Sequence, residues 1–361
     1  MLQKIVNGPI PDSFLSDETK RLNSLKFDGN QLVVLDQLLL PHEFKYVAVE
    51  GVDDAFGVIK SMKVRGAPLI ATVGCLGLLI EMRRQATLDK IWLTERIQYL
   101  ISSRPTAIDL RNSLNVVLNI LENETVDTKD KIYNHLLSVY QNEKEDNRRL
   151  VWNGYQELIS VNPNKQKLTV MTICNTGSLA TCSWGTALGV IRALHAEGRL
   201  ELVYALETRP YNQGIRLTAS ELSHGNVPFK LITDSMAAWA MKNNKIDAVL
   251  TGADNVALNG DTANKIGTYM LAVLCKHHNV NFYPVVPLTS INKNNETGDG
   301  VVIEERPSHE MLMVNGTAVG ALDTPVWNPA FDVTPGYLIT KVITDFGNFE
   351  PKDLKSAIHN L

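Results

Sequence analysis

Two residues stand where chemistry could be done, Cys174 and Asp254. Each follows an apolar run with the character of a buried strand, Leu168-Thr-Val-Met-Thr-Ile173 and Ile246-Asp-Ala-Val-Leu-Thr251, and each opens onto a polar loop leading into a helix. In open parallel α/β sheets, ligands bind in the crevice beyond the carboxyl ends of the strands. This placement therefore sets a thiol and a carboxyl group on one rim. Residues just past the other apolar runs extend that rim: Asn175, then Glu207, Thr208 and Arg209, then Asp234 and Ser235, then Thr289. Such a set suits a small polar or anionic substrate. Asn175-Thr-Gly-Ser178, ahead of an expected helix, would offer backbone N–H groups to a phosphate.

Each candidate also has a plainer reading. Cysteine is among the most buried residue types, so Cys174 could simply fill space, and Asp254 could be an ordinary turn residue. Arg65-Gly66-Ala67-Pro68 is either a solvated turn before a helix with proline in its first turn or a phosphate-binding arginine beside a glycine that admits the ligand to the backbone. Arg104-Pro105-Thr106 poses the same choice, while His277 and His278 suit a helix C-terminus. No glycine-rich dinucleotide or Walker-type motif follows any strand, and no His, Cys, Asp and Glu set has metal-ligand spacing. Neither a cofactor nor a metal is expected.

The elements that must position these residues fall into two kinds. After a polar leader over 1–24, the apolar runs around Asp28-Gly29 predict a small hairpin within Leu25–Leu40. Helical spacing then predicts helices over Val52–Met62, Ala67–Arg83, Leu93–Ile101, Ile108–Leu121 and Lys131–Ile159. The mixed-charge run Gln141–Arg149 reads as a solvated helix face. Past a linker at Asn162–Lys167, strands predicted at Leu168–Ile173, Leu200–Leu206, Phe229–Thr233, Ala248–Thr251 and Asn281–Val286 alternate with helices. One of these helices should carry Leu179, Leu188 and Ile191, and another Ile266, Met270, Val273 and Leu274. The fold class is thus α/β: a mainly helical N-terminal domain (25–160) with a small β-hairpin, followed by a Rossmann-like parallel-sheet domain (161–361). The long polar segment Thr289–His309 is expected to be a lid or a subunit contact.

A chain of 361 residues, 44% hydrophobic and 20% charged, has material for two cores. Its net charge of −4 gives no general attraction to nucleic acid or anionic membrane. The four cysteines, Cys75, Cys174, Cys182 and Cys275, form no close pair, so reduced thiols and a cytoplasmic setting, with the nucleus not distinguished, are expected. Met1–Leu15 lacks an apolar core, and Leu69–Ile80 falls short of the roughly 20 residues that span a bilayer. On that expectation the sequons at Asn123, Asn295 and Asn315 carry no weight.

Together these segments resemble the methylthioribose-1-phosphate isomerases. The matching strings are Val64-Arg-Gly-Ala-Pro-Leu-Ile-Ala71, Ser103-Arg-Pro-Thr-Ala107, Ile173-Cys-Asn-Thr-Gly-Ser-Leu-Ala180, Glu207-Thr-Arg-Pro-Tyr-Asn-Gln-Gly214, Leu231–Ala238, Gly252-Ala-Asp254, Asn259–Thr268 and Asn328–Pro335. The resemblance runs from about Leu25 to the C-terminus. It implies catalytic roles for Cys174 and Asp254, and substrate binding by Arg65, Gly66, Ala67, Arg104, Gln213, Asn264 and Lys265, with the cations meeting a phosphate. It also implies a homodimer acting on a small sugar phosphate. Asn255, where many members carry arginine, and Ile108-Asp109, in place of Val-Asn, depart from the pattern.

The implied reaction turns 5-methylthioribose 1-phosphate into 5-methylthioribulose 1-phosphate within methionine salvage. Because the phosphate blocks the anomeric oxygen, the ring must be opened by protonating its ring oxygen, a task for an aspartic acid kept protonated by desolvation. Hydrogen then moves from C2 to C1, either as a proton with Cys174 as base or as a hydride; a base would need a lowered thiol pKa, expected from nearby cations and the helix after Ser178. Regulatory subunits of the guanine exchange factor for translation initiation factor 2 and ribose-1,5-bisphosphate isomerases share the fold, which alone does not choose among them.

Overall fold

The computed structural model describes residues 9–359 apart from 86, 88, 106, 124, 125 and 315. The first eight residues of the leader, Thr106 and the sequon at Asn315 lie outside the described residues. The rest of the leader is less solvated than its polarity suggests: Phe14 and Leu15 are buried against Val151, Trp152 and Trp184.

The hairpin of β1 (Leu25–Phe27) and β2 (Leu32–Leu35) turns at Asp28-Gly29, and β3 (Tyr46–Val49) adds a third antiparallel strand. Five helices follow: α1 (Val52–Lys60), α2 (Ala67–Arg83), α3 (Lys90–Ser103), α4 (Ile108–Glu122) and α5 (Thr128–Val161). Helix α2 is apolar around nearly its whole circumference and runs through the middle of this core. No described helix is long and apolar enough to cross a membrane. Helix α5 serves two cores: Ile132 and Leu136 pack in the helical one, Leu150 and Leu158 against the sheet. Between them the Gln141–Arg149 run is not simply a solvated face. Asn147 is buried, accepting from Trp184 N (3.0 Å) and donating to Gly185 O (2.9 Å).

The second half runs β4 (Leu168–Thr172), α6 (Ala187–Ala196), β5 (Leu200–Leu206), a π-helical turn (Gly214–Thr218), α7 (Ala219–His224), β6 (Phe229–Ile232), α8 (Ala237–Asn243) and β7 (Ala248–Thr251). Then come β8 (Asn255–Val256), β9 (Thr262–Lys265), α9 (Thr268–His278), β10 (Asn281–Pro284), α10 (His309–Leu312), β11 (Met313–Val314), β12 (Thr317–Ala318), β13 (Phe331–Thr334), β14 (Val342–Ile343), β15 (Asn348–Phe349) and α11 (Pro351–His359). Five strands form a parallel sheet in the order β10-β7-β4-β5-β6. Alternate residues face opposite ways: Val170, Val203 and Leu250 meet α5 and α6, while Met171, Tyr204 and Val249 meet α8 and α9. Burial on both faces explains why these strands read as continuous apolar runs.

From β4 the chain builds outward through β5 and β6, then returns to the other side of β4 with β7 and β10. The strand order therefore reverses between β4 and β7, which pair directly through Val170 with Ala248 and Thr172 with Leu250. That is where a doubly wound sheet opens its ligand crevice.

Two helix assignments need correction. Ile266 lies in the turn before α9, which starts at Thr268. Leu179 is not in a helix; residues 173–186 form an irregular buried loop, and α6 starts only at Ala187. Asn175 and Thr181 accept from the nearby Gly177 N and Ser183 N, and Ser178 donates to the distant Glu221, instead of capping a helix, a competition such side chains often win.

Candidate active site

Cys174 leaves β4 in a left-handed backbone conformation, φ 67°, which costs a non-glycine residue about 1–3 kcal/mol unless its surroundings hold it. Two threonines do so. Cys174 N donates to Thr208 Oγ1 at 2.8 Å, and Thr218 Oγ1 donates to Cys174 O. Asp234 in turn accepts from Thr208 N (2.9 Å) and Arg209 N (2.7 Å). Thr208, Arg209 and Asp234, expected on the rim, thus stand behind the cavity wall, and Arg209 points its guanidinium at Pro210 O and Met311 O.

Farther along the Cys174 loop, Glu221 is fully buried and accepts from Ser178 N and Ser178 Oγ (both 2.8 Å), Leu179 N (3.2 Å) and Arg192 Nη2 (2.8 Å). A buried ion pair thereby holds the loop that follows the thiol.

Asp254 follows β7, and its N–H donates to Ala263 O at 3.0 Å. The tight β8–β9 hairpin then brings Asn264 and Lys265 back beside it, with Phe331 of β13 paired to Lys265. Arg65 and Gly66 come from the other half of the chain, at the start of α2. Gly66 has φ +88°, and a Cβ there would lie 2.3 Å from Ala180 O. Only glycine lets the α2 N-terminus sit against the Cys174 loop, where Leu69 N bonds Ala180 O.

The result is one cavity between the two halves, lined by all nine residues singled out above: Arg65, Gly66, Ala67, Arg104, Cys174, Gln213, Asp254, Asn264 and Lys265. Glu207, Thr208, Arg209, Asp234, Ser235 and Thr289 are not in that lining. Tyr211, Ser290, Arg306, Glu310 and Asn328 line it without having been singled out. Tyr211 and Asn328 lie inside matched strings; Arg306 comes from the polar 289–309 segment and carried no spacing signal.

Several buried polar atoms in the wall have no protein partner: Arg65 Nε, Asn175 Nδ2, Thr176 Oγ1 and Gln213 Oε1. Buried polar groups are nearly always paired, so these are places for a polar ligand. Arg65 also lies over the Tyr211 ring at 4.9 Å, and Lys265 over Phe331 at 4.7 Å. Arg306, by contrast, is engaged by Glu304 and Glu310.

Burial dominates the electrostatics. It pulls the Arg65 guanidinium down to about 10, with Tyr211 opposing, which leaves it cationic at neutral pH. Burial lowers Lys265 while Cys174 and Asp254 oppose. Burial raises the Asp254 carboxyl against the pull of Lys265 and Arg104. It also raises the Cys174 thiol, with Lys265 opposing and Asp254 adding. The expected lowering of Cys174 is therefore overturned: desolvation outweighs the cations, and the helix meant to assist starts at Ala187. A desolvated acid, a neutral thiol and a cationic cradle can together protonate an ether oxygen while holding a phosphate.

The initiation factor 2 subunit family model matches residues 63–351. A methylthioribose-1-phosphate isomerase of Caenorhabditis elegans is 71% identical over 99% of this chain and 98% of its own length. A crystal structure of 5-methylthioribose 1-phosphate isomerase from Pyrococcus horikoshii superposes with a TM-score of 0.83 at 36% identity, covering 95% of this chain and 96% of that one. The delta subunit of translation initiation factor eIF-2B from A. fulgidus follows at TM-score 0.76 and 35% identity, covering 92% and 97%. With a cavity that joins thiol, acid and cations at the switch point of its sheet, this chain belongs to the methylthioribose-1-phosphate isomerases within the initiation factor 2 subunit family.

Proposed function

We propose that the chain isomerises 5-methylthio-D-ribose 1-phosphate to 5-methylthio-D-ribulose 1-phosphate in methionine salvage, with Cys174 and Asp254 as its catalytic residues. The observation that carries this assignment of roles is the meeting of a desolvated carboxyl and a thiol at one sheet switch point, in a cavity shared with the cations Arg65, Arg104 and Lys265, of which buried Arg65 has an unpaired Nε donor. Arg65, Arg104 and Lys265 receive the phosphate, helped by the α2 N-terminus at Gly66 and Ala67. Gln213 and Asn264 orient the sugar hydroxyls.

Asp254 gives its proton to the ring oxygen, and the C1–ring oxygen bond breaks to leave an open, oxygen-stabilised cation at C1. A hydride then passes from C2 to C1, and the C2 hydroxyl returns its proton to Asp254 as the ketone forms. The books of atoms and electrons close with no cofactor. The raised, neutral thiol of Cys174 favours this route over proton abstraction by a thiolate. Cys174 then packs against the migrating centre and keeps water away from the cation. In deuterated water the product should carry no solvent label at C1; substantial label there would return Cys174 to the role of base.

We also propose a homodimer, in keeping with exposed large side chains such as Trp239, Trp327 and Tyr337. Light scattering at twice 40.0 kDa would bear on that. The central test is turnover of 5-methylthioribose 1-phosphate by the native chain beside Cys174→Ser and Asp254→Asn, each verified as folded. Loss of activity in both variants is the expected result. An inactive native chain, in an assay where another isomerase works, would overturn the assignment in favour of a sugar-phosphate-sensing subunit.

A further inference from the structure

A second cavity, about 480 Å³ against about 110 Å³ for the substrate cavity, lies between α2, α4, α5 and the loops after β10 and β14. Pro68, Thr186 and Pro287 line both, so the wall between them is thin. Asp109 is built into that wall. It sits in the first turn of α4, is 2% exposed and lines the second cavity. Ser290 Oγ, which lines the substrate cavity, donates to its two oxygens at 3.3 and 3.4 Å. Those contacts are long beside the roughly 2.5–2.7 Å of a hydroxyl bound to an ionised carboxylate. Burial this deep, opposed only by hydrogen bonds from Ser290 and Thr289, favours the protonated form of the carboxyl group.

We infer that Asp109, joined to the substrate cavity through the Ser290 hydroxyl, is a positioning residue that shares the proton of the acid site with Asp254. A hydroxyl suits this link because it donates to an ionised carboxylate and accepts from a protonated one. Burial pushes Asp109 up to about 7, Ser290 and Thr289 oppose, and the charge of Asp254 adds to the rise. The field around Asp109 is mixed. Helix α5 presents His135, Glu143, Asp146 and Arg149, the loop after β14 presents Asp345, and α2 presents no charge. On the substrate side stand Asp254, Arg104 and Lys265.

Two carboxyl groups that feel each other lose their protons as a pair. The last proton of this pair is held more firmly than Asp254 would hold it with no second carboxyl nearby. Each exchange moves one proton between the two groups and needs no other reactant.

This inference rests on the isomerase reading, and the same assay separates them. The experiment is the pH profile of kcat on 5-methylthioribose 1-phosphate for the native chain, Asp109→Asn and Ser290→Ala, with thermal melts to verify folding. Asp109→Asn should move the alkaline limb to lower pH. Ser290→Ala removes a hydrogen bond that favours ionised Asp109 and should move the limb the other way. Beyond the limb, each pH unit of displacement reads as about a tenfold change in kcat. If Asp109→Asn does not fold, Ser290→Ala still decides. Limbs that superpose on the native one, or activity scaled equally at every pH, would overturn the proton-sharing role and leave the isomerase standing. A native chain without turnover would remove the isomerase reading itself.

Discussion

The buried pair of Arg192 and Glu221 allows a prediction with an internal ranking. Both residues are almost wholly inaccessible, at 3% and 0% exposure, yet their surroundings are unequal. Glu221 takes four hydrogen bonds, three from the 178–179 loop and one from Arg192, and Arg192 has a second acceptor in Trp184 O at 2.8 Å. Glu221→Leu leaves Arg192 buried without its counter-charge and orphans two backbone N–H groups. Breaking a buried pair from one side costs about 3–5 kcal/mol. Arg192→Met, in contrast, leaves Glu221 with three of its four donors and removes two charge-assisted bonds, to Glu221 and to Trp184 O, each worth about 1.5–3 kcal/mol, whereas Glu221→Leu adds two orphaned N–H groups, at about 1–3 kcal/mol each, to the cost of the broken pair. Urea unfolding should therefore rank Glu221→Leu clearly below Arg192→Met. The double variant should recover only the portion due to unpaired Arg192, because Ser178 N and Leu179 N stay unsatisfied. Turnover below the unfolding transition should fall in the same order, since the loop following Cys174 is what Glu221 holds. If Arg192→Met proves as damaging as Glu221→Leu, the backbone donors are not what Glu221 is there for.

Gly66→Ala should raise KM and lower stability by about 1–3 kcal/mol, the scale of local backbone strain, because its Cβ would meet Ala180 O while φ stays positive; an unchanged KM would count against the docking role of the α2 N-terminus. Asp109 also carries a stability signature. Its folded pKa of about 7 lies above the ordinary 3.8, so its stabilising contribution is full below about 4 and is lost as pH rises through 7. Asp109→Asn should consequently gain up to about 4 kcal/mol on the native chain at pH 8, and nothing at pH 4; equal melting differences at both pH values would contradict a raised carboxyl. Thr208→Val removes the acceptor for Cys174 N, so kcat should drop while KM stays near the native value; a change confined to KM would mean that the left-handed turn at Cys174 holds without it.

Much of the sheet was legible because each central strand is buried on both faces. Leu200–Leu206 and Ala248–Thr251 begin and end where their apolar runs do. Helix α2 was equally plain, with proline at its start and arginine at its end. The 173–186 loop was not. Its apolar spacing around Leu179 and Leu188 imitates a helix, but Leu179 packs with Leu22, Leu35, Leu40 and Leu217, and the loop is held by Glu221 from far along the chain. Long-range contacts of this kind leave no local period. The Cys174 thiol was misread for a related reason. Lys265 and Arg65 are visible as cations in the sequence, whereas the burial that outweighs them belongs to the assembled cavity. Arg306 and Ser290 lay in a polar segment whose only signal was its length.

One physical cause accounts for most of what separates a catalytic cavity from a binding one on this fold. On the proposed assignment, holding a sugar phosphate asks for cations, here Arg65 and Lys265, and for unpaired polar atoms, here Arg65 Nε and Gln213 Oε1. Opening a phosphate-blocked ring asks also for an acid that keeps its proton and for a neighbour that does not trap the resulting cation as a nucleophile. Desolvation answers both needs at once, because the same burial that raises Asp254 keeps Cys174 a neutral thiol. A relative that replaced these two residues could keep the cradle and lose the reaction. The switch point between β4 and β7 explains why the choice falls on these positions, since it is there that side chains following adjacent strands face one enclosed ligand from opposite sides.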